Sequence, residues 1–203
     1  FSKLIRFSYN NATKIRSLST KMSEDLIELG VLTQISLIPN RVNLELFKTN
    51  KKSFDLANPI KIVSVGRFVP QKGYDIAIQV IKELSKKYSI ELFLIGGGKL
   101  HKEFQVKSKN YNNIHLISWI EQSELIKILS SSDIYIQPSK PFLGEAMPRT
   151  ILEAMAMKLP IIASNIAAIP GILDNTNSIL IKPNSVTSLK NSIEKLIDCQ
   201  LLR

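Results

Sequence analysis

Cysteine and histidine are nearly absent from this chain: 203 residues contain one Cys and two His. The single thiol, Cys199, excludes an internal disulfide and points to a reducing compartment. His101 and His115 have no partner pattern, so no Cys/His zinc cluster is expected and each reads as a surface or half-buried residue. No apolar run is long enough for a transmembrane helix. No secretory leader is visible, and the first residue is Phe1, from which a truncated start is expected. Neither the spacing Gly-x-Gly-x-x-Gly nor a phosphate loop ending in Gly-Lys-Ser/Thr occurs, which removes the usual dinucleotide and P-loop fingerprints. Acids are scarce too: 17 Asp and Glu stand against 27 Lys and Arg, a formal net charge of +10. That surplus would suit phosphate, nucleic acid or an anionic membrane surface. The basic runs are short (Lys51-Lys52, Lys86-Lys87) and lack interleaved aromatics, so much of the charge reads as solvated Lys and no nucleic-acid partner is expected.

What is present is globular. A hydrophobic share of 44% with 22% charged residues fits one sizeable domain with extra material, or two small ones, and not a disordered chain. Residues 1–34 predict a first helix, a short strand at 15–18 and a helix at 20–29 that ends at Gly30, with Met22, Leu26 and Leu29 at helical spacing. A short strand at 35–38 is stopped by Pro39-Asn40, and the polar residues 40–59 read as a connection.

From Ile60 the rhythm changes to strand–helix alternation. Strands are predicted at 60–65, 90–95, 114–117, 133–137, 160–164 and 179–181. Helices are predicted between them at 74–88, 99–109, 122–131 and after Pro148, with a last one at 185–197. Near-continuously apolar strands in such an alternation mean a parallel sheet buried on both faces, an α/β layer fold. Right-handed crossovers then bring all strand C-terminal ends to one edge, where ligands bind. Topology alone therefore gathers Arg67, 96–98, 118–120, 139–145 and 164–170.

Three groups on that edge could carry chemistry. Gly66-Arg67 with Lys72-Gly73 ends a strand and places a planar guanidinium and a point charge where a diphosphate leaving group could be held. Taken alone, the same pair is compatible with solvated basic side chains in a loop. Gly96-Gly97-Gly98 reads as a tight turn that keeps the crevice open. Glu145 and Glu153 sit on either side of Pro148, which suits the first position of a helix. Both acids then lie near the positive end of that helix, an end that attracts phosphate. A glycosidase-type acid/base pair is one reading. Glu153, in the second helical turn, is better placed to accept hydrogen bonds from ribose hydroxyls. Trp119 could line a base pocket or pack in the core.

Together these segments resemble a known family. Val65-Gly66-Arg67-Phe68-Val69-Pro70-Gln71-Lys72-Gly73, Ile95-Gly96-Gly97-Gly98 and the stretch Glu145-Ala146-Met147-Pro148-Arg149-Thr150-Ile151-Leu152-Glu153 are similar to motifs of GT-B glycosyltransferases of family 4. Ile38-Pro39-Asn40-Arg41-Val42-Asn43 and Asp133-Ile134-Tyr135-Ile136-Gln137-Pro138-Ser139 look like further signatures. The resemblance implies a Rossmann-like doubly wound sheet. It implies retaining transfer from a nucleotide-diphosphate-sugar, with no metal and no separate cofactor. By position, Arg67 and Lys72 would hold the diphosphate, and Glu145 with the backbone of Ala146 and Met147 would contact the sugar. The backbone N–H groups of Arg149 and Thr150 would meet phosphate, Glu153 would bind ribose, and Ile120 would border the base.

The resemblance further divides the chain into 1–44, the end of an N-terminal acceptor domain; 45–59, a linker; and 60–203, a C-terminal nucleotide-sugar-binding domain. The expected partners are the nucleotide-sugar donor and a saccharide or lipid-linked acceptor. The expected location is the cytoplasm, extending to peripheral contact with the cytoplasmic face of a membrane. Three positions depart from the family pattern: Arg41 and Lys158 stand where Gly is usual, and Ala167-Ala168-Ile169-Pro170-Gly171 replaces Gly-Gly-x-Pro-Glu. A non-catalytic module that binds a nucleotide-sugar or a partner is the alternative reading.

Overall fold

The computed structural model describes residues 2–49, 55–141 and 147–202. Two parallel sheets are present among them. The first is small: β1 (Ile15–Ser17) pairs with β2 (Ile35–Leu37), with Arg16 opposite Ser36, flanked by α1 (Ser2–Asn10) and α2 (Thr20–Glu28). Ser19 caps α2 by accepting from the Met22 N–H at 3.2 Å, which satisfies one of the helix's free donors. Met22, Leu26 and Leu29 do form its inner face, yet each is only half-buried, because so small a sheet gives them little to pack against.

The second sheet contains β3 (Ile60–Val65), β4 (Ile90–Ile95), β5 (Ile114–Ile117), β6 (Ile134–Gln137), β7 (Ile161–Ser164) and β8 (Ile179–Ile181), all parallel in the order β5-β4-β3-β6-β7-β8. Alternate residues of each strand face opposite sides. Ile62, Leu92, Leu94, Ile134, Ile136 and Ile162 meet α3 (Tyr74–Leu84), α4 (His101–Ser108) and α7 (Val186–Asp198). Val63, Val65, Ile95, Tyr135, Ile161 and Ala163 meet α5 (Gln122–Ser131) and α6 (Arg149–Ala156). This is the expected doubly wound α/β sheet, and the two apolar cores are why its strands read as continuous hydrophobic runs.

Local differences from the sequence reading have physical causes. The helix expected over 74–88 stops at Leu84, where Ser85 caps it and turns its hydroxyl back to the Ile81 carbonyl at 2.6 Å. Pro148 is the N-cap of α6, not its first helical residue, with an extended ψ of 117°. The stretch 40–59 is less of a plain connection than its polarity suggested. Phe47 within it is 3% exposed and packs with Val42 in the second core. A lone aromatic in a polar run carries no periodicity, so nothing in the pattern announced it.

Three backbone positions carry consequences for stability. Gly73 (φ 64°) presses so closely on the β6 loop that a Cβ would overlap the Pro138 carbonyl oxygen. Conversely, Lys158 (φ 56°) and Ala167 (φ 50°) hold left-handed conformations with side chains attached, at two positions where the family pattern has glycine. Arg41, the third departure, is not among the residues with positive φ.

Gly73→Ala is expected to lower unfolding stability by about 2–4 kcal/mol, from left-handed strain plus overlap. Gly171→Ala, where nothing lies within 4 Å of the added carbon, serves as the near-neutral control in the same denaturant titration. Ala167→Gly is expected to gain about 0.5–1 kcal/mol, since relief of strain exceeds the greater entropy of the unfolded glycine. A loss of stability in Ala167→Gly would contradict this account.

Candidate functional site

The strand order reverses between β3 and β6: the chain winds outward to β5, then returns and winds outward to β8. The loops leaving β3 and β6 therefore diverge at their C-terminal ends and leave a crevice, the usual ligand position in such sheets. The β3 loop runs through Gly66, Arg67 and a short 3₁₀ turn, Pro70–Lys72, to Gly73 and α3. It is fastened to the β6 loop by the Lys140 N–H donating to the Gln71 carbonyl at 2.8 Å. The Lys140 ammonium also pairs with Asp75 at 2.7 Å, a part-buried bridge at the start of α3.

Arg67 is exposed on this loop, and no ion pair involves it among the described residues. Lys72 is half-buried, and its methylenes cross over Gly66. The triglycine after β4 lies against the same loop: the Phe68 N–H donates to the Gly97 carbonyl at 2.7 Å, and the Leu100 N–H to the Phe68 carbonyl at 3.0 Å. A Cβ at Gly96, whose φ is 139°, would overlap the Gly66 carbonyl oxygen. The three glycines thus let two loops stack backbone to backbone beside the crevice. Trp119 is 66% exposed and stands against Gly97, so core packing is not its role. Ile120 is half-buried beyond the end of β5 and packs with the second core.

The other wall is the start of α6. Beneath it lies a buried polar network that the sequence reading passed over. The Tyr135 hydroxyl is 2.9 Å from Gln137 Oε1 and 2.8 Å from Thr150 Oγ1, and Gln137 Nε2 donates to Ser139 Oγ at 2.9 Å. Burial pushes the Tyr135 phenol well above its ordinary range, so it stays a neutral donor. The network locks Thr150 at the helix start onto β6. The signal was available: Tyr135, Gln137 and Ser139 alternate with apolar neighbours and so share one face of the strand.

Glu153 is half-buried one turn into α6. Burial raises its carboxyl above the ordinary 4.5, and the nearby Arg149 guanidinium opposes the rise. Arg149 itself is exposed, and Met147 is buried. The Met147 carbonyl accepts a 2.8 Å hydrogen bond from Asn40 Nδ2, which ties the loop after β2 to the approach to α6. Beside this tie, residues of α2's start and of 167–171 line a groove of about 450 Å³ with Met147 and Pro39. Arg67, Lys72, Ile120, Met147, Arg149, Thr150 and Glu153 thus lie on loops and helix starts along the C-terminal edge of the sheet. Glu145 and Ala146 lie outside the described residues.

Comparison with known proteins bears on this arrangement. A family model described as Glycosyl transferases group 1 matches residues 47–203. The GPI3 subunit of phosphatidylinositol N-acetylglucosaminyltransferase from Saccharomyces cerevisiae is 27% identical over 208 residues, covering 97% of this chain and 45% of that protein. The uncharacterized glycosyltransferase MJ1178 from Methanocaldococcus jannaschii is 30% identical over 202 residues, covering 98% of this chain and 53% of that protein. This chain therefore spans about half the length of the curated relatives it matches. Among solved structures, Anabaena Alr3699/HepE in complex with UDP and glucose superposes with a TM-score of 0.84 at 18% identity, covering 99% of this chain and 58% of that one.

The Glu153 carboxyl is expected to titrate above 4.5 by NMR, and to rise further in Arg149→Met, which removes the opposing charge. Because its folded value lies above the unfolded one, ionising Glu153 works against folding. Its contribution to stability is present below 4.5 and is lost as pH rises through the folded value, so Glu153→Gln should flatten stability against pH over that interval. A Glu153 titration at or below 4.5 would contradict the buried placement.

Proposed function

This chain belongs to the glycosyl transferases group 1 family, and we propose that it forms the donor side of a glycosyltransferase that takes its sugar from a nucleotide-diphosphate-sugar. The observation that carries the reading is the crevice at the strand-order reversal, with Arg67 and Lys72 on the β3 loop and the start of α6 across from them. In this reading the two cations and the free N–H groups of Arg149 and Thr150 take the diphosphate charge. They hold it most strongly as the glycosidic bond breaks and charge develops on the departing phosphate, which is where stabilisation accelerates a reaction. No metal is needed for that role.

Glu153 accepts hydrogen bonds from the ribose hydroxyls, and Ile120 borders the base. Glu145, with the backbone of Ala146 and Met147, contacts the sugar. Transfer proceeds with retention by attack on the face from which the phosphate leaves. The acceptor oxygen bonds to the anomeric carbon as the carbon–phosphate-oxygen bond breaks. The acceptor proton passes to the leaving phosphate oxygen, and the nucleoside diphosphate departs. Neither glutamate acts as a nucleophile.

Residues 1–44 contribute the edge of the acceptor side, 45–59 link the two, and 60–203 hold the donor. The acceptor is a saccharide or a lipid-linked molecule, reached in the cytoplasm or at the cytoplasmic face of a membrane. Among the described residues no helix is long and apolar enough to cross that membrane. A second reading, nucleotide binding without turnover, draws on Gly171, which stands where the family pattern carries an acid near the site.

Calorimetric titration of the chain with UDP, GDP and their sugars tests the donor site. One nucleotide should bind, and Arg67→Ala and Glu153→Ala should each weaken it more than about tenfold, roughly 1.5–3 kcal/mol. Unchanged affinity in both variants would remove the site assignment. Release of free sugar or transfer from the bound donor would separate the enzyme from the binding module.

A further inference from the structure

Tyr135 carries a hydroxyl that packing alone does not require. Its ring lies fully buried in the second core, where phenylalanine would fill the same space with no polar group to desolvate. The direction of its hydrogen bonds shows what the hydroxyl does. Gln137 Oε1 is a carbonyl oxygen and can only accept, so the single phenol proton goes to it, at 2.9 Å. The Thr150 hydroxyl, 2.8 Å away, must then donate to the phenol oxygen. Burial pushes the phenol up, and the bond from Thr150 opposes the rise, as a bond donated to the phenol oxygen should. Gln137 Nε2 donates onward to Ser139 Oγ, so every proton in the chain is passed from the α6 start toward the end of β6.

Thr150 is the second residue of α6. A hydroxyl there is within reach of the free N–H groups of its own helix start, and Ser and Thr readily bond to such neighbouring backbone groups. In α6 this does not happen: among the described residues no N–H donates to Thr150 Oγ1. The rest of the start is bare as well. Pro148 offers no side-chain cap, and the first turn has no acid. From α2 to α7 every other helix has one or the other. Ser19 and Ser185 cap α2 and α7, and Asp75, Glu103 and Glu124 stand in the first turns of α3, α4 and α5. An uncovered helix start keeps its partial positive charge for an arriving anion.

We propose that Tyr135 is a positioning residue for the donor's diphosphate: by taking the Thr150 proton it turns that hydroxyl away from the first N–H groups of α6 and leaves them open to phosphate. The inference rests on the donor reading above. Tyr135 itself is buried and acts through Thr150. Without the phenol, the Thr150 hydroxyl is released to bond to its own helix start, where it competes with phosphate.

The test is calorimetric titration of the whole chain with UDP or GDP, whichever it binds, repeated with inorganic pyrophosphate as competitor. Tyr135→Phe should weaken nucleotide and pyrophosphate alike, by about fivefold. Adding Thr150→Val, which removes the competing hydroxyl, should recover most of that loss, although the double variant has lost one more polar group. A role in packing alone would leave the double variant binding as weakly as Tyr135→Phe or more weakly, and that outcome overturns the proposal. So does a loss seen with nucleotide but not with pyrophosphate, which places the effect at the ribose or the base. Gln137→Met supplies a test with Tyr135 intact. The phenol then gives its proton to Thr150 and still holds it, so affinity should stay within about twofold. A fall of about fivefold in Gln137→Met assigns the effect to the whole polar layer and overturns the proposal, whether or not Tyr135→Phe folds. No nucleotide binding by the unaltered chain overturns the donor reading and this role together. Binding by the unaltered chain with no loss in Tyr135→Phe overturns the role alone.

Discussion

The close passage of Gly73 beneath the Pro138 carbonyl is the constraint on which the site depends. A doubly wound sheet separates the loops of its two central strands, and that separation creates a crevice. Left alone, such loops would be mobile, and a pair of cations on one of them would hold a ligand poorly. Here backbone meets backbone: Gly73 against Pro138, Lys140 N–H on Gln71 O, and the triglycine of β4 stacked on the first turn of the β3 loop. These contacts join the β3 and β6 loops, the two loops between which a crevice opens in such a sheet.

The second wall is stiffened by different means. Tyr135, Gln137, Ser139 and Thr150 form a polar chain inside an otherwise apolar layer. Buried hydroxyl and amide groups are costly when unpaired, and satisfied ones specify a single arrangement. The chain thereby fixes the rotation of α6 about its axis. That rotation decides where Glu153 and Arg149 point. Position at this site is thus set in part by Tyr135, Gln137 and Ser139, which need never touch a ligand.

The fold was largely legible from the sequence, since Ile60–Val65, Ile90–Ile95 and the other strands are apolar on both faces and separated by helices at the right lengths. The edge that collects Arg67, Lys72 and the α6 start follows from that alternation alone. What could not be read lies in pairings distant along the chain. Asn40 and Met147 are 107 positions apart, and no local pattern links them. Phe47 was hidden in a polar run, and Tyr135 was read as one more strand residue, although its hydroxyl needs a partner inside the layer. The family resemblance marked Lys158 and Ala167 as departures. Only the backbone angles show that the chain keeps the glycine conformation there without the glycine.

The hydrogen bond from Asn40 to the Met147 carbonyl has a mechanical meaning. Arg16 grips the loop at 38–40 through three acceptors, so that loop travels with the small sheet as one body. Phe47, buried in the large sheet's core a few residues on, is a fixed anchor for the same strand of chain. Asn40, part of the gripped loop, adds one neutral hydrogen bond to the large sheet's side, worth about 1 kcal/mol net. The bond sits on the carbonyl next to the α6 start, so the placements of the small sheet's loop and of the crevice wall are tied at one point.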